Sequence, residues 1–332
     1  MMLRIIGLLF LLTVNVAAQT APPPTKPTNE QAEVLKIDTQ EVLLPVTVRD
    51  RSGQFVLNLK AEDFNIYENN VLQPISSFSL KHLPVHVVLL IDTSSSVTRE
   101  LDDFKTAASN FAARLDPQDQ LSLIKFDDKV ELVMDWTPSR NALRRALNQL
   151  TTGMFTNFND ALWLTARDQL NRVTGRKAII VLTDGIDSGR GRKTQPQVLR
   201  AMQDAEAPIY AVSKTVMQRS AEQRDLAVLE QAASPVANRI RIDGLKLSLA
   251  ALEQGEQWLA KLSEESGGRL FLPRSFDDLS DAYQQVADEL RSQYLIYYTP
   301  QDSKRDGSYR TVRVKAKCRD CRTTSRLGYF AK

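Results

Sequence analysis

From His86 the chain runs Val87-Val88-Leu89-Leu90-Ile91 and passes without a break into Asp92-Thr93-Ser94-Ser95-Ser96. An apolar run of that length, closed by a polar loop, reads as a strand buried on both faces. A helical pattern follows at once: Val97, Leu101, Phe104, Ala108, Phe111 and Leu115 recur at three- and four-residue steps and make one apolar face. A buried strand feeding a helix through a short loop belongs to an open α/β sheet, where ligands bind at the carboxyl ends of the strands. Asp92, Ser94 and Ser96 put one carboxylate and two hydroxyls at such an end. These are hard oxygen donors, the kind preferred by Mg2+, Mn2+ and Ca2+. Asp and Ser also cap helices, so the loop alone reads equally well as the start signal of the helix near Val97.

Two downstream segments supply what such a site lacks. Gly153-Met154-Phe155-Thr156-Asn157 precedes a helical stripe of Ala161, Leu162, Leu164, Ala166 and Leu170. Ala178-Ile179-Ile180-Val181-Leu182-Thr183-Asp184-Gly185 is a second buried strand ending in an aspartate. Asp187, a little further on, reads as loop or cap. In this order and spacing, Asp92-x-Ser94-x-Ser96, Thr156 and Asp184 resemble the metal-ion-dependent adhesion site of von Willebrand factor A domains. The resemblance implies that Ser94 and Ser96 bind the metal directly and that Asp92 and Asp184 act mostly through water. Thr156 would move in when an acidic ligand arrives. Such a donor set carries less formal charge than a closed calcium cage, so a cation bound to it stays electrophilic and takes a carboxylate from a partner. The expected cofactor is Mg2+, with Mn2+ or Ca2+ also suited to the oxygen set. The expected partner is a protein with an exposed acidic side chain.

The start of the chain points to export. Arg4 precedes Ile5-Ile6-Gly7-Leu8-Leu9-Phe10-Leu11-Leu12, and Val16-Ala17-Ala18 supplies small residues of the kind a signal peptidase reads. That apolar core of about a dozen residues is short of the ~20 needed to span a bilayer. A cleavable signal peptide over residues 1–18 is expected, with a secreted or periplasmic destination and no membrane span after cleavage. Residues 19–36, with Pro22-Pro23-Pro24 and Pro27, read as a disordered tether. The formal charge of +3 is small for 332 residues, and no basic stripe with interleaved aromatics occurs, which argues against nucleic acid as a partner. The locally basic runs 190–193 and 315–326 read as solvated surface.

Three blocks follow the tether. Residues 37–83 read as strands at Glu41–Asp50, Phe64–Glu68 and Ile75–Leu80, with turns at Arg51–Gln54 and Asn69-Asn70. The stretch Leu57–Phe64 resembles one that precedes the A domain in the exported, acidobacterial-type VWFA-related group. Residues 84–293 alternate strands and helices, with Leu121–Phe126 and Val130–Met134 as an antiparallel edge pair and Ala142, Leu143, Ala146 and Leu150 patterning a helix. Val198–Ala205 reads as helix, Pro208–Val212 as strand and Phe276–Tyr294 as a final helix. More than forty residues separate Val212 from the helix at Trp258–Leu262, where a short connection is usual. A helix at Ala221–Ala233 and a polar loop at Ser234–Leu245 are expected there, as a surface insertion or a partner-binding excursion. Residues 294–332 are strand-rich again.

Neither flanking block is long enough to bury a good core alone. The expected architecture is therefore a doubly wound, mostly parallel α/β sheet inserted in a small β-sandwich built from both flanks. Cys318 and Cys321 are the two cysteines, and in an exported protein the default is a disulfide. Tyr309–Lys315 and Thr323–Leu327 read as two strands meeting at a turn, a hairpin that the bond would clip. A redox motif would need a helix N-terminus that nothing here predicts, and zinc would need four ligands where only His82 and His86 could join.

Three function classes remain. The leading one is a non-enzymatic, metal-dependent protein-binding module for adhesion or scaffolding. A structural envelope module whose metal only locks loops is the second. The third is a metal-dependent hydrolase with Asp92 as nucleophile, but Ser94 stands where a second acid is expected. No Gly-x-Ser-x-Gly elbow occurs, and His82 and His86 lie at the opposite end of the first strand.

Overall fold

Alternation along the first apolar run sets the layering. Val85, Val87, Leu89 and Ile91 pack into one core, and Val88 and Leu90 into another on the opposite face. Successive side chains of a strand point to opposite sides, so a run apolar at every position needs a layer on each side. The computed structural model describes residues 41–80, 83–98, 101–232 and 237–331. The expected signal peptide, the tether and His82 lie outside the described residues.

The first flank contains β1 (Val42–Arg49), β2 (Phe64–Glu68), β3 (Val71–Gln73) and β4 (Ile75–Ser79). The central part follows with β5 (Val85–Asp92), α1 (Leu101–Arg114), β6 (Gln120–Phe126), β7 (Val130–Thr137), α2 (Arg140–Asn148) and α3 (Phe158–Leu164). It continues through β8 (Arg176–Leu182), α4 (Gln195–Ala205), β9 (Ile209–Val212), α5 (Thr215–Glu230), α6 (Arg239–Ser266), β10 (Arg269–Phe271) and α7 (Phe276–Arg291). The second flank contains β11 (Tyr294–Tyr298), β12 (Tyr309–Ala316), β13 (Arg322–Thr324) and β14 (Gly328–Phe330).

Among the described residues the central sheet has the order β10-β9-β8-β5-β6-β7, parallel except for β7, which pairs antiparallel with β6 at the edge. Buried residues of α1, α2 and α7 cover one face and those of α3, α4 and α6 the other, the expected doubly wound arrangement. The chain leaves β5 for β6 on one side and later returns to β8 on the other. The boundary between β5 and β8 is thus a topological switch point, where the loops at the carboxyl ends diverge and leave a crevice.

The flanks pair with each other. One sheet has the order β13-β1-β11-β4 and the other β14-β12-β2-β3, each mixing strands from before and after the central part. Val42, Leu44, Val46 and Val48 of β1 alternate into their shared core with Phe64, Ile66, Tyr294, Ile296, Val312 and Val314. Buried Glu68 crosslinks that core, accepting from Arg310 at 3.0 Å and from the hydroxyls of Tyr298 and Tyr329, each at 2.7 Å. Asn69 and Asn70 both take positive φ, 47° and 67°, the two-residue turn that joins β2 to β3 with the twist of the strands. Where the chain crosses between sandwich and central layer, buried Arg176 ties the two crossings together. Its guanidinium donates to the Leu83 carbonyl at 2.7 Å, to the Gln293 side-chain oxygen at 2.9 Å and to the Leu290 carbonyl.

Several expected elements are placed differently. The strands flanking Cys318 and Cys321 form no hairpin: β12 pairs with β2 and β14, whereas β13 pairs with β1 in the other sheet. The bonded cysteines span a crossing between sheets. The final helix stops at Arg291, because Tyr294 is already the first buried residue of β11. After the Asp92 loop a 3-10 turn at Ser95–Val97 precedes α1. The helix after the Thr156 loop widens into a π turn at Thr165–Gln169. The long excursion is two helices that pack against each other: α5 starts at Thr215, and residues 239–245, expected as polar loop, are the first turns of α6. Residues 233–236 of that expected helix and loop lie outside the described ones.

Candidate metal centre

Strand β5 delivers Asp92 to the switch point fully buried. The Ser94 N–H donates to Asp92 Oδ1 at 2.9 Å, which folds the loop back over the strand end. The Thr183 hydroxyl, from the neighbouring end of β8, donates to Asp92 Oδ2 at 2.7 Å. Beyond it lies Asp184, 3% exposed, with Oδ1 accepting from Ile186 N–H at 3.0 Å. The hydroxyls of Ser94 and Ser96 are 3.0 Å apart, and that of Ser96 donates to Asp184 Oδ2 at 3.2 Å. Asp92, Ser94, Ser96 and Asp184 therefore form one continuous cluster.

The fifth residue sits on an adjacent loop. Gly153 N–H donates to the Thr93 carbonyl at 2.8 Å, and the Ser95 hydroxyl donates to the Met154 carbonyl at 3.0 Å. Only glycine fits at 153, since a Cβ there would lie 2.6 Å from Asp128 Oδ2 and 2.7 Å from Asp127 Cβ. Thr156 N–H donates to Ser188 Oγ at 2.9 Å, and Ser188 N–H returns a bond to the Thr156 carbonyl at 2.8 Å. These bonds seat the Thr156 backbone against both aspartate loops. The Thr156 hydroxyl itself is not hydrogen-bonded to Asp92, Ser94, Ser96 or Asp184. Asp187 accepts from Asn159 N–H and Gly189 N–H, each at 2.8 Å, and so caps the start of α3.

Burial is the main force on the two acids. It pushes the Asp92 carboxyl up to about 7, helped by repulsion from the Asp184 charge. Burial also raises Asp184, against the pull of the Ile186 N–H, the Lys214 charge and the Ser96 hydroxyl. Two desolvated carboxylates share one crevice, where burial and mutual repulsion disfavour their ionised forms. With two serine hydroxyls between them, they form an all-oxygen donor set that fits a small divalent cation. Among the described residues no three His, Cys, Asp or Glu side chains gather as a metal cluster. A cation here would thus depend on hydroxyls and water as well as the two acids.

Sequence patterns did not single out the residues that brace this cluster. Thr183 falls within the second buried run as one more strand position, and Ser188 lies beyond it with no pattern of its own. Gly185 has φ +78°, and a Cβ on it would lie 2.6 Å from the Gly255 carbonyl oxygen. A Cβ on Gly255 would in turn lie 2.5 Å from the Asp184 carbonyl oxygen. Helix α6 thus passes directly against the Asp184–Gly185 peptide. A glycine in mid-helix costs about 1 kcal/mol relative to alanine, and here it permits that close approach.

A doubly wound sheet with a Ser- and Asp-lined crevice at its switch point defines a class of α/β ligand-binding domain, and the comparisons narrow it. Residues 87–186 match the family model of the von Willebrand factor type A domain, and this part of the chain is such a domain. Among curated proteins, an uncharacterized protein of Synechocystis sp. is 30% identical over 109 residues, which are 32% of this chain and 26% of that relative. The chain thus matches about a quarter of that relative's length. Among solved structures, a von Willebrand factor type A protein from Catenulispora acidiphila aligns over 89% of this chain and 74% of its own, at 12% identity and a TM-score of 0.46. The corresponding domain of a type V pili tip protein from Porphyromonas gingivalis aligns over 32% of this chain and 40% of its own, at 24% identity and a TM-score of 0.31. Proximal thread matrix protein 1 from the mussel byssus, in a form with a zinc-occupied MIDAS motif, covers 66% of this chain and 48% of its own, at 16% identity and a TM-score of 0.44.

Proposed function

We propose that this chain is an exported binding module in which Asp92, Ser94, Ser96 and Asp184, with Thr156 alongside, hold a divalent cation and capture an acidic side chain of a partner protein. One observation carries the reading: the hydroxyls of Ser94 and Ser96 are strung between two buried carboxylates at the switch point of the sheet. Mg2+ is the first candidate for the ion, Mn2+ the second. When bound, such an ion supplies a Lewis-acidic position open to a carboxylate. The protein's part is to hold the donors. Thr183 fixes the Asp92 carboxylate, Ser96 links to Asp184, and Ser188 positions the Thr156 loop.

The rim suits an acidic residue beside an apolar one. Met154 is 71% exposed next to the cluster, and the Arg190 guanidinium lies 3.4 Å over the Phe155 ring. A hydrolase reading has less support. Asp92 is wholly buried with an oxygen committed to each of two donors, a poor position for attack on phosphorus or carbonyl carbon.

Export belongs to the same proposal, resting on Arg4, the apolar run Ile5–Leu12 and Val16-Ala17-Ala18. Among the described residues no helix is long and apolar enough to cross a membrane. We assign residues 84–293 to the A domain, and the flanks 37–83 and 294–332 to one sandwich that holds it at both ends. Membership of the narrower exported bacterial group is part of this reading as well.

Binding of an immobilised glutamate-rich peptide tests the function. Capture in Mg2+ that is abolished by EDTA and by Ser96→Ala is the expected result. Capture indifferent to EDTA, or phosphate-ester hydrolysis lost in Asp92→Asn, would contradict it.

A further inference from the structure

Beyond Val212 the chain buries Lys214, whose ammonium reaches the Ser96 end of the candidate centre. Lys214 is only 3% exposed, rare for a lysine unless its charge is compensated. Its ammonium donates to the carbonyl oxygen of Ser96, the residue whose hydroxyl donates to Asp184 at 3.2 Å. Strand β9, which ends two residues before Lys214, lies beside β8, which leads into Asp184. A protein-borne positive charge is therefore built into the crevice that gathers the two acids. The residue is also anchored in the backbone, because its carbonyl accepts from Gln218 N–H at 3.1 Å and opens α5.

We propose that Lys214 is a tethered cation of this centre: its ammonium neutralises the Asp92–Asp184 cluster in the metal-free protein and opposes a divalent ion there, so that residue 214 sets the metal affinity. The inference rests on the metal-site reading above and adds a residue to it. Two cations sharing one low-dielectric crevice repel strongly, so ion binding requires the Lys214 side chain to swing away or to tolerate that repulsion. Removing the charge at 214 should therefore have opposite effects on the two states, weakening the empty protein and tightening the ion-bound one.

The test compares the full chain with Lys214→Met and Lys214→Arg by calorimetric titration with Mn2+ alone and by thermal melting in EDTA. Lys214→Met should bind Mn2+ about tenfold more tightly or better and melt at a lower temperature in EDTA, while Lys214→Arg stays close to the parent in both. If Met at 214 does not fold, Lys214→Gln makes the same comparison. Equal Mn2+ affinity in the parent and the uncharged variant overturns the role of Lys214 and leaves the metal site standing. Absence of Mn2+ binding in every variant overturns both together. Binding by Lys214→Met where the parent shows none supports the proposal in its strongest form.

Discussion

Arg49 of β1 meets Glu289 of α7 at 2.9 Å, so a strand of the sandwich and the last helix of the central layer share one ion pair. The Glu289 side chain is 2% exposed and that of Arg49 22%. Glu289 also stands near the buried Tyr210 hydroxyl, whose proton burial and the Glu289 charge hold on well above the usual phenol range. Helix α7 then runs into β11, an inner strand of the sandwich. Removing one partner of a buried pair leaves the other charged in low dielectric. Arg49→Ala should therefore cost about 2–3 kcal/mol in urea unfolding, reduced from the fully buried case by the partial exposure of Arg49. Glu289→Gln should cost less, because the amide keeps a hydrogen-bonding oxygen for Arg49. Equal stability of Arg49→Ala and parent would show that the pair does not join the layers.

Gly255→Ala offers a test of the contact between α6 and the Asp184 loop. Alanine is the better helix former, so propensity alone predicts stabilisation. The added methyl would instead press on the Asp184 carbonyl, and the expected outcome is a loss of about 1–3 kcal/mol with weaker Mg2+ binding. A higher melting temperature with unchanged metal binding would mean that the helix is free to shift.

Thr183→Val keeps the shape of the side chain but deletes its hydroxyl. That hydroxyl donates to Asp92 at 2.7 Å and accepts from Gly185 N–H at 3.1 Å. Leaving those buried partners unpaired should cost about 1–3 kcal/mol in thermal or urea melts. Thr183→Ser, which retains the hydroxyl, should recover most of that loss.

The pH response of the metal-free chain carries a definite sign. Burial, then the Asp184 charge, pushes the Asp92 carboxyl from its ordinary 3.8 up to about 7. Between those values the folded chain keeps a proton that the unfolded chain has lost, so folding stability falls as pH rises through that window. In EDTA the melting temperature of the parent relative to Asp92→Asn should therefore drop from about pH 4 to about pH 7 and level off above it. Saturating Mg2+ should flatten the drop. A difference that rises with pH would mean that Asp92 is held ionised by its donors.

How much of this could be read in the chain differs by element. The runs Val87–Ile91 and Ala178–Leu182 are short, rich in β-branched residues and apolar at every position, a pattern that suits strands covered on both faces. Asp92, Ser94, Ser96 and Asp184 lie at or just beyond their carboxyl ends, and it is the resemblance to A domains that implies that they meet. The β12–β13 hairpin expected from sequence does not form, because alternation shows that a segment is a strand without showing which sheet it joins. The first turns of α6 escape the sequence pattern for another reason: Ile240 is 87% exposed and Leu247 73%, so this part of the helix, packed against α5, shows no core-facing stripe. Lys214 carried no signal at all, since a lysine just beyond a strand is ordinarily solvated.

Mg2+ binding measured by calorimetry, comparing the parent chain with the Asp92→Ala/Ser94→Ala double variant, tests the central claim most directly. Saturable binding by the parent that disappears in the double variant is the predicted result. No binding by the parent to Mg2+ or Mn2+, or binding that survives the double substitution, would contradict the assignment of these residues to a metal centre.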